Sequence, residues 1–288
     1  MQLPFRILKT ASQAWLDDRA PSMGAAIAYY TIFSLAPLLW LVTAIVGLVF
    51  GAATARGAIE HVLQRVMGGE AAEALQGMIQ LSGATASSPL ATAVSLVMLV
   101  VASTGMLWEI QLSFDVIWKV RGEHASGIRP ATKRFLLSFA LIVALGLILI
   151  LSLAVNAALA LVNQQFGTPI PRLLEVVNAV VSLSAMATIL TLTFKLFSSA
   201  AVRWREAWIG AAITSVLLEI GKYAIGLYVL SIAEHSFYRA AGAAAVLLIW
   251  AYYSSQILLF GAEITKAITD WRARRRGRRR AKPVAQQP

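Results

Sequence analysis

Residues 207–233 read AWIGAAITSVLLEIGKYAIGLYVLSIA, and this stretch decides what kind of protein the chain is. As an α-helix it would rise about 40 Å, enough to cross the roughly 30 Å hydrocarbon core of a bilayer. Its only charged residues are Glu219 and Lys222, close to its middle. Charges at that depth are expensive, so they need either a structural partner or a function.

The composition of the whole chain has the same character. It contains 288 residues, of which 58% are hydrophobic and 14% are charged. Soluble domains average about 45–50% apolar and about 25% charged residues, so this composition indicates an integral membrane protein. The chain has no cysteine, which excludes disulfides, thiolate catalysis and thiolate metal sites.

Six apolar runs have the length of a transmembrane helix. They cover 24–50, 91–114, 135–162, 174–198, 207–233 and 241–268. Apolar residues surround these runs on most faces and strand-like alternation is absent, which favours a helical bundle over a barrel. The predicted fold is therefore all-α, with six transmembrane helices in a single domain over 1–268 and a basic, disordered tail over 269–288.

The basic residues predict the orientation of these helices. Twenty of the 25 Lys and Arg residues fall on one side of the six-helix topology: in 6–19, in 119–134, in 195–205 and in 266–282. Basic residues concentrate on the cytoplasmic side, so both termini should be cytoplasmic. The run 24–50 is too long for the apolar region of a cleaved signal peptide, so we expect it to be retained.

Two segments outside the spans carry amphipathic patterns. In 3–20, the apolar residues Leu3, Ile7, Ala11 and Trp15 recur at helical spacing, which predicts a short helix lying on the cytoplasmic surface. The loop 52–90 should be extracytoplasmic and should form two short helices over the outer face of the bundle, broken at 68–69 by two glycines.

The pair Glu219 and Lys222 permits two interpretations. Residues three apart share a helix face, and Tyr223 continues that face. Lys222 lies about 15 Å from either helix end, too far for its side chain to reach the interface. One interpretation is a buried or water-lined site for a substrate or a proton; the other is an ion pair that fixes packing. A cavity that reaches the pair would favour the first, and a dry, closed contact the second.

Two further groups of residues are candidates for transport-related roles. Pro37 should kink the first span beside Tyr29 and Tyr30, and such a kink could shape a cavity. At the cytoplasmic ends of the spans, charged residues are candidates for a gate of salt bridges, although ordinary interfacial anchoring explains them as well. These gate candidates are Glu109, Asp115, Lys195, Arg203 and Glu263.

The sequence also indicates partners. Eight basic residues fall within the eleven positions from Arg272 to Lys282, which predicts contact with anionic lipid headgroups. Nucleic acid is not expected, because the cytoplasmic bias of basic residues already accounts for most of the net charge of +11. Gly47 and Gly51 form a GxxxG pattern that leaves a homo-oligomer open.

No enzymatic motif is present. The chain lacks the HExxH, phosphate-loop and Gly-x-Ser-x-Gly patterns. His61 and His235 fall on the extracytoplasmic side and His124 on the cytoplasmic side, so the three cannot meet as a ligand set. We therefore expect neither enzymatic activity nor a cofactor or metal.

Several stretches together resemble the YihY/BrkB family of bacterial inner-membrane proteins. The matching stretches are AAIAYYT at 25–31, SLAP at 34–37, EIGKYAIGLY at 219–228, AAGAAAVLLIWAYYSSQ at 240–256 and GAE at 261–263. One position departs from the family pattern, since Arg239 follows Tyr238 where the family has glycine. The resemblance extends over about residues 15–268.

This resemblance implies a six-helix protein of the bacterial inner membrane with conflicting functional labels: a virulence factor linked to serum resistance, a ribonuclease, and a transporter of lipid or solute. The ribonuclease label has no support here, because a metal-dependent nuclease needs clustered carboxylates. We expect secondary transport of an amphipathic or anionic substrate, lipid included. The alternative is a structural or envelope-homeostasis protein that transports nothing.

Overall fold

The computed structural model describes residues 2–50, a number of positions between 57 and 76, and residues 89–120, 171–198, 202–233 and 239–280. Over these ranges the regular structure is helical and contains no strand, as predicted. The helices are α1 (Gln2–Asp17), α2 (Ala20–Phe50), α3 (Pro89–Ile117), α4 (Pro171–Leu196), α5 (Trp204–Ala233) and α6 (Arg239–Arg280). The predicted span 135–162 lies outside the described residues.

Four described helices are long and apolar enough to cross a membrane. The qualifying segments are Val97–Ile117, Ala179–Leu196, Trp204–Tyr228 and Ala244–Arg275. They coincide with the predicted second, fourth, fifth and sixth spans, while α2 contains the predicted first span. A multi-pass helical membrane protein is thereby confirmed. The count of six spans and the orientation of the termini stay predictions.

Helix α6 holds the described helices together. It packs against α1, α2, α3 and α5, whereas α4 packs against α5 and α2 packs against α3. Buried side chains from α2, α3, α4, α5 and α6 form one continuous core, which includes Ile27, Phe114, Phe194, Ala211 and Leu259. The candidate sites described below therefore lie next to α6 or next to a helix that packs against it.

The antiparallel helices α5 and α6 approach closely enough that a side chain is excluded at three crossing points. A methyl group on each glycine there would overlap a side chain of the other helix; the contacts are Gly210 with Thr265, Gly261 with Thr214, and Gly221 with Tyr253. From one contact to the next, the residue number rises along α5 and falls by almost the same amount along α6, as antiparallel packing requires. Small residues permit this approach between membrane helices and so fix the register of the pair.

The threonine hydroxyl groups at two of these crossings are satisfied within their own helices. Thr214 donates to the carbonyl of Gly210 at 2.7 Å, and Thr265 donates to the carbonyl of Gly261 at 2.8 Å. A bilayer core offers no water to hydrogen-bond, so polar groups must find partners inside the protein. The crossings are thus tight without leaving these hydroxyls unpaired.

The N-terminal helix predicted from its apolar stripe is present as α1. Ala11 of that stripe is buried together with Ile264 and Ile268 of α6, and Ile7 packs against the same cluster. The stripe therefore faces the protein, because burial against α6 removes its apolar surface from water. Phe5, Leu8 and Leu16 form a second apolar row on α1 that stays exposed.

At the opposite end of the bundle, the described part of the loop 52–90 covers the first half of α6. Leu63, Met67 and Leu75 are buried with Leu247 of α6. Gly68 lies between the helical residues around it and adopts a φ of 88°, a conformation that favours glycine. The break that the sequence predicts at 68–69 is present.

Helix α6 continues without interruption to Arg280, where the sequence predicts a disordered tail from residue 269. Arginine and alanine, which make up most of 272–280, are strong helix formers, so the chain has no local reason to leave the helix at the membrane boundary. Residues 281–288 lie outside the described part.

We predict that Gly261→Ala lowers the free energy of unfolding by about 1–3 kcal/mol, since the added methyl must displace Thr214 of α5. Denaturation by sodium dodecyl sulfate in mixed micelles measures this. Gly69→Ala is the matched control, because no atom lies within 4 Å of its added methyl. Combining Gly261→Ala with Thr214→Gly should recover part of the loss; equal stability of all variants would contradict the register.

Candidate functional site

The opposite charges at the middle of α5 form an ion pair. The Nζ atom of Lys222 lies 2.6 Å from Oε2 of Glu219, within one turn of the same helix. Both residues are more than ten positions from either end of α5, so the pair is about 15 Å or more from each end. The sequence-predicted partners do meet, and at the predicted depth of their helix.

A cleft between α4, α5 and α6 reaches this pair. Beside Glu219 and Lys222, its lining consists of Met186 from α4, Ser215, Leu218 and Ile225 from α5, and Trp250, Tyr253 and Ser254 from α6. The walls are mainly apolar, and the ion pair is their charged part. Gly221 permits the close approach of Tyr253 that forms one wall, so the register of α5 and α6 also shapes the cleft.

The volume of the cleft decides what it can hold in this conformation. It encloses about 100 Å³. A water molecule needs about 10–15 Å³ of such space, so several waters fit. Sites for drug-sized ligands enclose about 300–1,000 Å³, so a lipid headgroup with its chains does not fit. The cleft is therefore a small recess beside the ion pair, closed to a large substrate in this conformation.

The two charges are unequally accessible. The side chain of Glu219 is 46% exposed, whereas that of Lys222 is 18% exposed. The ammonium group therefore lies on the inner side of the pair and the carboxylate on the outer side. An anion that entered the cleft would compete with the carboxylate of Glu219 for Lys222.

The cleft also contains a tyrosine hydroxyl that the sequence did not single out. Tyr253 of α6 donates a hydrogen bond of 3.4 Å to the main-chain carbonyl of Leu217 on α5. The same ring fills the space left by Gly221. The only sequence signal for it was its place within the matching stretch 240–256.

Three predicted site residues lie elsewhere. Tyr223 is 71% exposed and points away from the cleft that Lys222 lines. Tyr30 of α2 fills the space beside Gly105 of α3, and Tyr29 stacks edge-on against it with ring centres 5.5 Å apart. Helix α2 is helical through Pro37, whose side chain lies outside the described part, and the predicted kink stays a prediction.

The five gate candidates are not joined to one another by any ion pair within the described ranges. Lys195 donates to the carbonyl of Val202 at 2.5 Å, and Arg203 is exposed just before α5. Asp115 keeps one buried carboxylate oxygen without a partner, and Glu109 is partly exposed on α3. Glu263 is buried near Asp18, which is not one of the five candidates. As a gate, the five stay a prediction.

Two ion pairs at the end of the bundle that holds α1 were not foreseen from the sequence. Lys119, just after α3, pairs with Asp18 in the turn between α1 and α2. Arg272 of α6 lies 3.7 Å from Glu206 in the first turn of α5, whose carboxylate also accepts from Thr269. We call the end of the bundle that holds α1 and these two ion pairs the basic end. The sequence gives no local sign of these pairs, because each joins segments far apart in the chain.

A polytopic bundle of apolar helices with an ion pair at the middle of one helix defines an integral membrane protein. Comparison with known proteins then gives the family: the model of the family described as Virulence factor BrkB matches residues 11–286. The chain belongs to this family, as the resemblance of its motifs indicates.

Similar proteins are described as membrane proteins. The UPF0761 membrane protein Smlt0865 of Stenotrophomonas maltophilia is 29% identical over 90% of this chain and 59% of its own length. The UPF0761 membrane protein PSPA7_4558 of Pseudomonas paraeruginosa is 28% identical over 94% of this chain and 64% of its own. The chain spans about three fifths of the length of these relatives. No solved structure matches it.

We predict that Glu219 and Lys222 are coupled in stability. Glu219→Gln removes the carboxylate that faces a mostly buried ammonium group and should lower the free energy of unfolding by about 1–3 kcal/mol, less than for a fully buried pair because Glu219 is half exposed. The double variant Glu219→Gln/Lys222→Met should recover at least half of this. Denaturation in mixed micelles measures the cycle, with the exposed Asp17→Asn as control; purely additive losses would contradict it.

Proposed function

We propose that the chain transports an amphipathic or anionic substrate, lipid included, by a secondary mechanism, with Glu219 and Lys222 as the binding centre. The observation that carries this proposal is the cleft that reaches the ion pair at mid-helix. A charge pair kept only for packing has no need of an adjoining cleft with room for water. In membrane helices, ionisable residues commonly mark the path of a substrate or ion.

The unequal exposure of the pair supports an anionic group as the part of the substrate that is recognised. Lys222 presents three hydrogen-bond donors and a positive charge on the inner side of the cleft. A phosphate or carboxylate that displaced Glu219 would preserve an ion pair at that depth throughout binding. The apolar lining, including Leu218 and Trp250, suits the apolar part of an amphipathic molecule.

A substrate larger than a few waters requires the cleft to widen. The glycine contacts hold α5 and α6 in close register, whereas α4 contributes only Met186 to the lining. Movement of α4 relative to the α5–α6 pair would open the cleft without breaking these glycine contacts. Substrate binding and helix movement would then be one event, as secondary transport requires.

The proposed setting is the bacterial inner membrane, with both termini in the cytoplasm. This follows from the bias of basic residues, which prefer the cytoplasmic side. At the basic end, Arg274 and Arg275 of α6 are exposed. We extend the proposal to them: the helical segment from Arg272 contacts anionic lipid headgroups.

The alternative function is structural: an envelope-homeostasis protein that binds lipids or partners and transports nothing. The small volume of the cleft and the direct 2.6 Å contact of the pair are the observations that favour it. Under this alternative the pair contributes to packing alone.

We predict that wild-type protein in liposomes raises the flux of labelled anionic lipid or of small organic anions above that of empty vesicles. Lys222→Met should reduce that flux about tenfold or more, because it removes a charged hydrogen-bond donor worth about 1.5–3 kcal/mol. Lys222→Arg, which keeps the charge, should retain part of it. Lys9→Met, an exposed lysine on α1, is the control for loss of one positive charge.

Two outcomes would overturn the proposal. Flux at background for folded wild type with every probe would favour the structural alternative. Flux above background that is unchanged in Glu219→Gln/Lys222→Met would mean that transport does not pass through this pair.

A further inference from the structure

The carboxyl group of Glu263 is almost completely buried at the basic end of the bundle. The residue is 1% exposed, and its Oε1 atom has no hydrogen-bond partner in the structure. A buried acceptor without a donor is costly, and an ionised carboxylate in that position is costlier still. The chain must therefore lower this cost in some other way.

A second buried carboxyl group lies near Glu263. Asp18, in the turn between α1 and α2, is close enough to interact with it. The side chain of Asp18 is 5% exposed and its Oδ2 atom also has no partner, while its Oδ1 atom is bound by Lys119. Two buried acceptor atoms thus belong to neighbouring carboxyl groups, and nothing described donates to either atom.

The positive charges nearby do not resolve this arrangement. Lys119, which follows α3, and Lys266, one turn further along α6, are the cations close enough to act on Glu263. Within the described residues, Lys119 pairs with Asp18, and neither lysine forms an ion pair with Glu263. If both carboxyl groups were ionised, two like charges would face each other away from solvent.

We propose that Asp18 and Glu263 form a proton-binding site that holds one proton between their carboxyl groups at neutral pH. One hydrogen turns one of the two groups into a donor and the other into its acceptor, so both unpartnered oxygens are satisfied. Two neighbouring buried carboxyl groups cannot both ionise readily, and a proton bound in this way belongs to the pair rather than to either residue.

A metal ion fits this place less well. Hard cations take about six or more oxygen ligands. Over the described residues, no cluster of three or more His, Asp and Glu side chains is arranged to hold a metal. Lys119 already neutralises Asp18 and would repel a second cation. The proton is the ligand that needs two oxygens and no more.

The backbone next to Asp18 and at its ion-pair partner supports a fixed geometry for the turn between α1 and α2. Arg19 and Lys119 adopt positive φ values of 57° and 51°, which non-glycine residues rarely do. They are the neighbour and the ion-pair partner of Asp18. Such conformations persist where the surroundings determine them. The proton joins the α1–α2 turn to α6, so protonation and the packing of that turn against α6 are linked.

Infrared spectroscopy of the full chain in proteoliposomes tests the site without any transport assay. At neutral pH we expect the carbonyl band of one protonated carboxyl group per chain, shifted in D₂O and lost at alkaline pH. Carbon-13 labelling of glutamate or aspartate side chains in the wild type assigns the band without a substitution. The result is independent of whether the protein transports anything.

The substitutions should act selectively. Glu263→Gln should remove the band and Asp18→Asn should shift it, whereas the exposed Asp17→Asn and Asp270→Asn should leave it unchanged. Absence of the band from the wild type at neutral pH would overturn the proposal. So would a band that neither carbon-13 label shifts, that survives Glu263→Gln, or that Asp18→Asn leaves in place.

Discussion

The close antiparallel contact of α5 and α6 is the constraint on which the described structure depends. Between membrane helices, apolar side chains gain little by leaving lipid, so close packing has to supply the stabilisation. Glycines on both helices remove the side chains that would hold them apart, with Gly261 of α6 accepting Thr214 and Gly221 of α5 accepting Tyr253. This register places the polar side of α5 against Tyr253 and so forms the cleft. It also fixes how far α6 extends past α5 towards the basic end.

The structure contains two polar places along these helices, and they differ in kind. At mid-helix, Glu219 and Lys222 carry opposite charges and compensate each other directly, beside a recess with room for water. At the basic end, Asp18 and Glu263 are two carboxyl groups, and Lys119 pairs with only one of them. The first place suits a charged ligand that exchanges partners. The second suits a ligand that removes negative charge, which is the reason for assigning it a proton.

The sequence predicted what depends on local pattern and missed what depends on tertiary contact. Apolar runs of fixed length gave the helical membrane class and the places of the described spans, and a spacing of three gave the pair Glu219 and Lys222. Asp18 was hidden because an acidic residue at the end of an amphipathic helix is ordinarily solvated. Its burial depends on Glu263 and Lys119, both more than 100 positions away. The inward face of α1 was missed for the same reason, since a stripe that suits a membrane surface suits the side of α6 equally well.

Helix α6 carries Tyr253, Glu263 and Arg272 on one unbroken hydrogen-bonded rod. At 1.5 Å per residue, the first two lie about 15 Å apart and the last about 14 Å further on. An α-helix resists stretching and twisting, so a rotation of α6 at the junction with Asp18 would turn the ring of Tyr253 by the same angle. A displacement of one end of α6 would thereby move the whole helix. Helix α6 therefore connects the cleft with the basic end, and a change in its position at one of these places would also move its side chains at the other.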